Sequence, residues 1–159
     1  MHNVAYIFGG QPRVIVSPEL SDISAFKTYL GITQGELKKI WWYRHRMYST
    51  FNISKKAGKA RIINAPNRRL KMLQRRIAAM LDSIYRPRRC VHGFTTDRSV
   101  KTNAESHLRS KHIVNIDLKD FFPSITEKRV IGLLSSIGVD QAVAHAIARI
   151  CCVNGYLPQ

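Results

Sequence analysis

The sequence predicts an α+β fold in which helices flank one β-hairpin and one further strand. Apolar residues recur every three to four positions in several segments, which is the period of amphipathic helices. Two alternating segments, 49–55 and 61–65, flank a turn that contains glycine, as in a β-hairpin. A third alternating segment, 113–118, is rich in β-branched residues and stops before Pro123.

Composition limits the classes of partner. Of the 159 residues 45% are hydrophobic, which is enough for a packed core. The 26 basic residues outnumber the 10 acidic ones, and the net charge of +16 favours a polyanion, first nucleic acid and second a membrane surface. No apolar run reaches the ~18 residues that span a bilayer, and no signal peptide is evident. The three cysteines include an adjacent pair, which predicts free thiols and a cytoplasmic location.

Two helices are predicted in an N-terminal helical region, residues 1–48. Ser17 or Ser21 is expected to cap the first helix, and Gly31 to end it. A capping box at 33–36 begins the second. The aromatic residues that follow are expected to pack the domain, with stacking on nucleic-acid bases as the alternative; they are Trp41, Trp42, Tyr43 and Tyr48.

The hairpin and the helix predicted over 67–85 are strongly basic. Twelve Lys or Arg and a single acid, Asp82, lie between positions 55 and 89. A solvated surface normally mixes both signs, so this segment favours contact with backbone phosphates. At the hairpin turn, an anion and solvent are equally compatible with the crowded cations. The residues expected to bind nucleic acid are Arg68, Arg69, Lys71, Arg75, Arg76, Arg88 and Arg89.

Three shorter helices are predicted in the second half of the chain. Asp97 or Ser99 is expected to cap a helix over about 100–108. Thr126 or Ser124 is expected to cap the next helix, which ends at Gly138. Asp140 begins the last one, where His145 is expected to be a core histidine rather than a metal ligand.

Residues 111–125, KHIVNIDLKDFFPSI, contain the candidate for chemistry. In a strand, Val114, Ile116 and Leu118 face a core, while Asp117 faces the opposite way. A carboxylate at a strand end, followed by two aromatic residues, suits a metal-dependent nucleotidyl transferase. The acid holds a cation against a triphosphate, and a ring packs beside the sugar. The commoner alternative is an aspartate that simply faces solvent.

Several motifs stand in one order along the chain: RIINAP (61–66), VHGF (91–94) with Arg98 and Ser99, NAESH (103–107), NIDLKDFFPSI (115–125) and LPQ (157–159). Together they resemble the N-terminal half of bacterial reverse transcriptases, most closely the retron type, over residues 20–159. The NAxxH pattern favours the retron type over group II intron enzymes. Asn103 and His107 mark this pattern, with no chemistry assigned to either.

The resemblance implies a partial right-hand polymerase. Its parts are the N-terminal helical region 1–48, fingers 49–110 and a partial palm 111–159. It implies an RNA-directed DNA polymerase that uses Mg²⁺, an RNA template, the RNA–DNA hybrid and deoxynucleoside triphosphates. Retrons as a family make a hybrid RNA–DNA molecule and act in defence against phage.

The resemblance also implies roles for individual residues. Asp117 corresponds to the first catalytic aspartate and binds Mg²⁺, with the Leu118 carbonyl assisting. Phe122 corresponds to the ring beneath the incoming sugar, and Arg61 to the arginine that grips the triphosphate. The remaining residues implied at the nucleotide are Lys55, Lys56 and Gln159.

The chain departs from the family pattern in two ways. Asp97 stands where glycine usually precedes the Arg-Ser pair. The aromatic-x-Asp-Asp segment, the rest of the palm and the thumb are absent, and no two acids are adjacent. Two-metal transfer needs several carboxylates around cations ~3.5–4 Å apart.

We therefore expect this chain to be inactive alone, as a piece of a longer chain or one completed by a second polypeptide. The alternative is a non-catalytic basic module that binds RNA. A half-palm is also expected to leave apolar surface uncovered, and hence to aggregate or pack loosely.

Overall fold

The computed structural model of the chain describes residues 17–54 and 60–158. The predictions for Lys55, Lys56 and Gln159, and for the first sixteen positions, lie outside the described residues. The chain forms two compact units: a main unit, Met1–Ile84 with Asp120–Gln159, and a second unit, Tyr85–Lys119. Helices combined with a two-stranded antiparallel sheet confirm the predicted α+β class.

The main unit is built from helices and the hairpin, and the second unit holds one short helix. In chain order the elements are α1 (Pro18–Ser21), α2 (Ile23–Leu30), α3 (Gln34–Tyr43), a 3-10 turn (Arg44–Met47), β1 (Tyr48–Ser54), β2 (Ala60–Pro66), α4 (Arg68–Ile84), α5 (Val100–Glu105, second unit), α6 (Phe121–Ser124), α7 (Glu127–Ser136) and α8 (Gln141–Cys151).

The helix starts confirm some of the predicted caps and correct another. Thr126 and Asp140 cap α7 and α8 through their side chains, and Ser99 caps α5. The serine cap predicted for α2 is wrong: the Asp22 carboxylate accepts a hydrogen bond from the Ala25 N–H, 2.8 Å long. Because the short α1 occupies positions 18–21, Asp22 is the extended residue immediately before α2.

Gly31 ends α2 as predicted, in the left-handed region at φ 63°. Only one half of the predicted capping box at α3 forms. The Thr33 hydroxyl accepts from the Glu36 N–H at 3.1 Å, whereas the Glu36 carboxylate pairs with Arg69 on α4. The carboxylate therefore joins two helices instead of closing its own first turn.

The hairpin forms at the predicted positions and is anchored at its base. Phe51 pairs with Ile63, and the Thr50 hydroxyl donates a hydrogen bond to the Asn64 side chain at 2.9 Å. Most hairpin side chains are exposed. At the base, the Gln74 amide donates to the Tyr48 hydroxyl at 2.8 Å, which ties β1 to α4.

The hydrophobic core lies in the main unit, where α2, α3, α4 and α8 meet. On α4, helical periodicity predicts an apolar stripe of Leu70, Leu73, Ile77, Leu81 and Ile84. The first three are buried, whereas Leu81 and Ile84 are only half-buried and Met80 is buried instead. Among the described residues, the other largest fully buried side chains are Leu20, Phe26, Leu30, Ile40, Val143, Ile147, Ile150 and Cys152. No residue between positions 85 and 119 is buried.

The strand predicted over 113–118 is wrong. This segment is irregular, and Val114, Ile116 and Leu118 are 80%, 83% and 63% exposed rather than facing a core. A strand is stabilised by the hydrogen bonds of a neighbouring strand. Among the described residues the only sheet is the β1–β2 pair, so this segment has no neighbour.

The two phenylalanines also differ from the prediction, because they lie in the short helix α6 instead of ending a strand. Pro123 is the third residue of α6, where its missing N–H costs no helical hydrogen bond.

The cysteines confirm the prediction of free thiols. Burial raises the pKa of Cys151 to about 12 and that of Cys152 to about 11, so both stay protonated at neutral pH. His145 is half-buried on α8 and stacks on Trp41. In the part of the chain that the structure describes, no helix is long and apolar enough to span a bilayer.

Candidate nucleotide and nucleic-acid site

Asp117 lies in the irregular segment of the second unit with its side chain exposed to solvent. None of the ion pairs found among the described residues involves the Asp117 carboxylate. The carboxylate has both solvent access and unused acceptor positions, which a metal ligand requires. Leu118, whose carbonyl is predicted to assist in binding the metal, follows it in the same irregular backbone.

Asp117 does not form a metal site by itself. Across residues 17–54 and 60–158, no group of three or more His, Cys, Asp or Glu side chains is placed to hold a metal ion. A two-metal centre needs several carboxylates, and Mg²⁺ is bound by carboxylates together with waters and substrate phosphates. The described residues alone therefore do not fit the Mg²⁺ that the resemblance implies.

Phe122 lies in the main unit, on α6. Its ring forms an edge-to-face pair with Phe121, with centroids 5.5 Å apart and planes at 73°. The Phe122 side chain is 41% exposed, so part of its surface remains accessible to a ligand.

Two of the predicted motifs meet next to Phe122. The Leu157 N–H donates to the Ile125 carbonyl at 3.0 Å, and the Glu127 N–H donates to the Gly155 carbonyl at 2.8 Å. These bonds hold the end of the DFFPSI segment against Leu157, the first residue of the LPQ motif, although the two are about thirty positions apart in the sequence. The resemblance assigns both segments to the nucleotide site, so their contact agrees with that assignment.

Arg61 is exposed on β2, opposite Ile53 in the ladder. No hydrogen bond or ion pair engages its guanidinium among the described residues, which do not include the hairpin turn. The structure shows no contact between Arg61 and Phe122, so a shared nucleotide site stays a prediction for these two residues.

The basic face of α4 divides into two groups. Arg68, Lys71 and Arg75 are exposed, and none has a hydrogen-bonding or ionic partner among the described residues. Arg69 is engaged: its guanidinium binds the Glu36 carboxylate at 2.6 and 2.7 Å and donates to the Gly31 carbonyl at 3.0 Å. The hydrogen bond from Arg69 lowers the pKa of Glu36, so this pair is ionised at neutral pH.

Arg76, the fifth predicted contact on α4, is also engaged. Its guanidinium lies 5.3 Å from the centroid of the Tyr29 ring, and its carbonyl accepts from the Tyr29 hydroxyl at 3.1 Å. Arg69 and Arg76 thus connect α4 to neighbouring elements, which leaves Arg68, Lys71 and Arg75 as the cations available to phosphate.

In the second unit, Arg98 organises the loop that carries Arg88 and Arg89. Its Nη1 donates to the carbonyls of Arg88, Arg89 and Val91 at 2.6, 3.2 and 2.5 Å. His92 Nδ1 lies 2.9 Å from the Thr102 hydroxyl, which connects the loop to α5. These contacts give the VHGF and Arg-Ser motifs a structural role, while the Arg88 and Arg89 side chains remain exposed.

Asn103 and His107 are exposed, the first on α5 and the second in the turn that follows. No hydrogen bond or ion pair involves either side chain within the residues that the structure describes. Neither position has a structural explanation here.

Asp97, which stands where glycine is usual in the family, has a backbone conformation that explains this difference. Asp97 adopts φ 61°, in the left-handed region that glycine enters without steric cost and that aspartate and asparagine tolerate better than other residues. The glycine usual at this position in the family is consistent with the same turn.

We expect Asp97→Val to loosen this loop, because a β-branched residue at positive φ costs roughly 1–2 kcal/mol. Tryptic cleavage between residues 85 and 119 should become several-fold faster in Asp97→Val and stay unchanged in Asp97→Gly, the control. Equal cleavage rates in both variants would show that this turn does not constrain the loop.

Sequence reasoning missed a half-buried ion cluster that lies close to Phe122 in the chain. Glu127, at the start of α7, accepts a 2.9 Å hydrogen bond from Arg44 Nη2, and its second oxygen lies 3.0 Å from Arg149 Nε. Burial lowers the pKa of Arg44, while the Glu127 charge opposes that shift. No sequence signal connects these positions, because Arg44 and Glu127 are 83 residues apart.

Comparison with known proteins finds clear relatives. The chain is 42% identical over 123 residues to the retron Mx65 reverse transcriptase of Myxococcus xanthus, covering 75% of this chain and 29% of that protein. It is 35% identical over 162 residues to the retron Ec86 reverse transcriptase of Escherichia coli, covering 100% of this chain and 50% of that protein. Identity to the Myxococcus xanthus retron Mx162 reverse transcriptase is 34% over 136 residues, covering 82% of this chain and 28% of that protein.

The chain thus spans half or less of the length of these curated relatives. No protein-family model matches it.

Proposed function

Because the chain belongs to the retron reverse transcriptase family, we propose that it forms the fingers and first part of the palm of an RNA-directed DNA polymerase. The observation that carries the proposal is the 35% identity that extends over 100% of the chain to the retron Ec86 reverse transcriptase. The contact between the DFFPSI and LPQ segments supports it, because both motifs belong to the implied nucleotide site.

In this proposal the complete enzyme joins a primer hydroxyl to the α-phosphate of a deoxynucleoside triphosphate on an RNA template, releasing pyrophosphate. Asp117 contributes one carboxylate to the metal centre, and further polypeptide, in the same or a second chain, supplies the others. Phe122 packs beneath the incoming sugar, and Arg61 contacts the triphosphate together with Lys55 or Lys56. The exposure of Asp117, Phe122 and Arg61 supports these roles, because each must reach a ligand.

The isolated chain is proposed to bind RNA without synthesising DNA. The second candidate function, a non-catalytic RNA-binding module, is favoured by one observation: among the described residues, α4 carries three exposed cations without a partner, but no cluster of acids is present. Both functions share the RNA-binding surface and differ in whether Asp117 takes part in a reaction.

The α4 surface can be tested by the salt dependence of RNA binding. Each phosphate contact contributes roughly 0.7–0.9 to the slope of log K against log salt. The triple variant Arg68→Ala, Lys71→Ala, Arg75→Ala should therefore reduce the slope by about 2 to 3. The measurement is fluorescence anisotropy of a labelled RNA hairpin at several salt concentrations.

Arg69→Ala is the matched control, because it removes a cation from the same helix that is already paired with Glu36. We expect Arg69→Ala to change the slope by less than about 0.5. An unchanged slope in the triple variant would exclude the α4 face as the phosphate contact. Wild-type protein that does not bind RNA at all would contradict both candidate functions.

A further inference from the structure

The main unit contains an open groove of about 650 Å³ that is lined by none of the residues predicted to bind metal, nucleotide or phosphate. It lies between α3 and the first half of α8, with Ile23 of α2 at one side. Its polar and aromatic lining residues are Gln34, Lys38, Trp41, Trp42, Gln141 and His145. The volume is within the ~300–1,000 Å³ typical of small-ligand sites.

Both tryptophans of the chain line this groove, and their environments differ. Trp41 is fixed: the Arg149 guanidinium lies 4.7 Å from the centroid of its ring, and the His145 ring stacks on it at 6.4 Å. Trp42 is 70% exposed and has no ring or cation partner among the described residues. The groove therefore combines a rigid aromatic wall with an adjacent, uncovered indole.

The charges around the groove favour an anion. Lys38 lines it, and none of the described lining residues is acidic. Asp22 and Asp140 directly precede lining residues, but each carboxylate accepts a backbone N–H at a helix start, from Ala25 and Val143 respectively. Glu36, the one acid of α3, is paired with Arg69.

The remaining polar groups suit the edge of a planar ring. The Gln34 Oε1 accepts from Lys27 Nζ at 3.0 Å, which leaves the amide NH₂ of Gln34 as a donor. Gln141 contributes a second side-chain amide, which can both donate and accept. An aliphatic side chain would use neither these amides nor the lysine.

We propose that this groove binds an unpaired nucleotide of RNA, with its base stacked on Trp42 and its phosphate near Lys38. This inference rests on the proposed function in one respect, namely that the ligand is RNA. Bases within a duplex are stacked on one another and cannot enter, whereas an unpaired base can stack on an aromatic side chain. The groove thus distinguishes single-stranded from double-stranded RNA.

The two tryptophans allow a direct test, because all tryptophan fluorescence of the chain arises in this groove. The full chain is titrated with a single-stranded RNA, a duplex RNA and an abasic strand with the same number of phosphates as the single strand. We expect quenching by the single strand and little quenching by the duplex or the abasic strand, since only the first presents an unpaired base.

Binding of labelled single-stranded RNA is then measured by anisotropy for three variants. Trp42→Ala should weaken binding roughly 5- to 150-fold, the usual effect of losing one stacked base. Trp42→Phe keeps a ring and should recover most of the affinity. Tyr85→Ala, which removes a 49% exposed aromatic ring from the other unit, is the control and should bind like the wild type.

Equal quenching by the abasic strand, or unchanged binding by Trp42→Ala, overturns the groove as a base-binding site while leaving the proposed function intact. Wild-type protein that binds no RNA overturns both. Circular dichroism of Trp42→Ala should match the wild type, because an exposed side chain contributes little to the core.

Discussion

Replacing Glu127 with alanine is expected to lower the free energy of unfolding by roughly 2–4 kcal/mol, because the change leaves two half-buried guanidiniums facing each other without a counter-charge. The side chains of Glu127, Arg44 and Arg149 are 14%, 12% and 30% exposed, so water can compensate only in part. Trp41 should be affected as well, because Arg149 lies against its ring.

Urea denaturation followed by circular dichroism measures this change. Glu36→Ala is the control, because Glu36 pairs with Arg69 in the same unit and the two side chains are 27% and 44% exposed. Such exposed pairs contribute about 0–1 kcal/mol. If Glu127→Ala and Glu36→Ala destabilise the chain equally, the cluster is not a significant source of stability.

The same denaturation curves test the expected loose packing. Phe26 and Ile147 belong to one continuous core in the main unit, whereas the second unit has no buried residue and exposes Val114 and Ile116. We therefore expect cooperative unfolding to report the main unit, and the second unit to account for any tendency to aggregate. This separation follows from the distribution of buried side chains, and no sequence pattern indicated it.

Features that depend on neighbouring residues were predictable from the sequence. The apolar stripe of α4, the left-handed Gly31 and the caps at Thr126 and Asp140 arise from interactions within one or two helical turns. Such interactions leave a periodic or local pattern of residues. The hairpin is equally local, because its two strands are separated by a short turn.

Features that depend on distant residues were not predictable. The alternation at 113–118 is typical of a strand, but a strand also needs a neighbour, and the described residues provide none. The ion cluster joins Arg44 to Glu127 across 83 positions, and charge alone does not select one pair among 26 cations and 10 acids. For the same reason, no pattern distinguished Arg69, which is paired with Glu36, from Arg68, which is not.

From the sequence, the candidate site could be predicted as a set of residues but not as a spatial arrangement. The family resemblance identified Asp117, Phe122 and Arg61, and all three are accessible in the structure. Composition indicated a polyanion, yet the groove at Trp42 required the structure, because it is formed by helices α3 and α8 from opposite ends of the chain. The packing role favoured by the sequence agrees with the half-buried Trp41, and the exposed Trp42 fits the stacking alternative.

Asp117→Asn is expected to abolish DNA synthesis in the completed enzyme, by a factor on the order of 1,000 or more, equivalent to about 4 kcal/mol of transition-state stabilisation. Asparagine keeps the shape of the side chain but removes the negative charge that binds a divalent cation. The assay combines this chain, covalently or as a separate polypeptide, with the remaining length of a retron reverse transcriptase. Incorporation of labelled deoxynucleotides on an RNA template is the measurement.

Asp97→Asn is the matched control, since it removes one charge from the same unit at an exposed position where asparagine tolerates the left-handed backbone. It should retain synthesis within about two-fold, a difference of under 1 kcal/mol. Both variants should bind RNA like the wild type, because neither change removes a cation that contacts phosphate. Loss of synthesis in Asp117→Asn with RNA binding intact would assign the aspartate to the reaction and exclude the non-catalytic module. Full synthesis by Asp117→Asn would show that the reaction does not need this carboxylate. Synthesis by the isolated chain would show that the reaction needs no carboxylates beyond those of this chain.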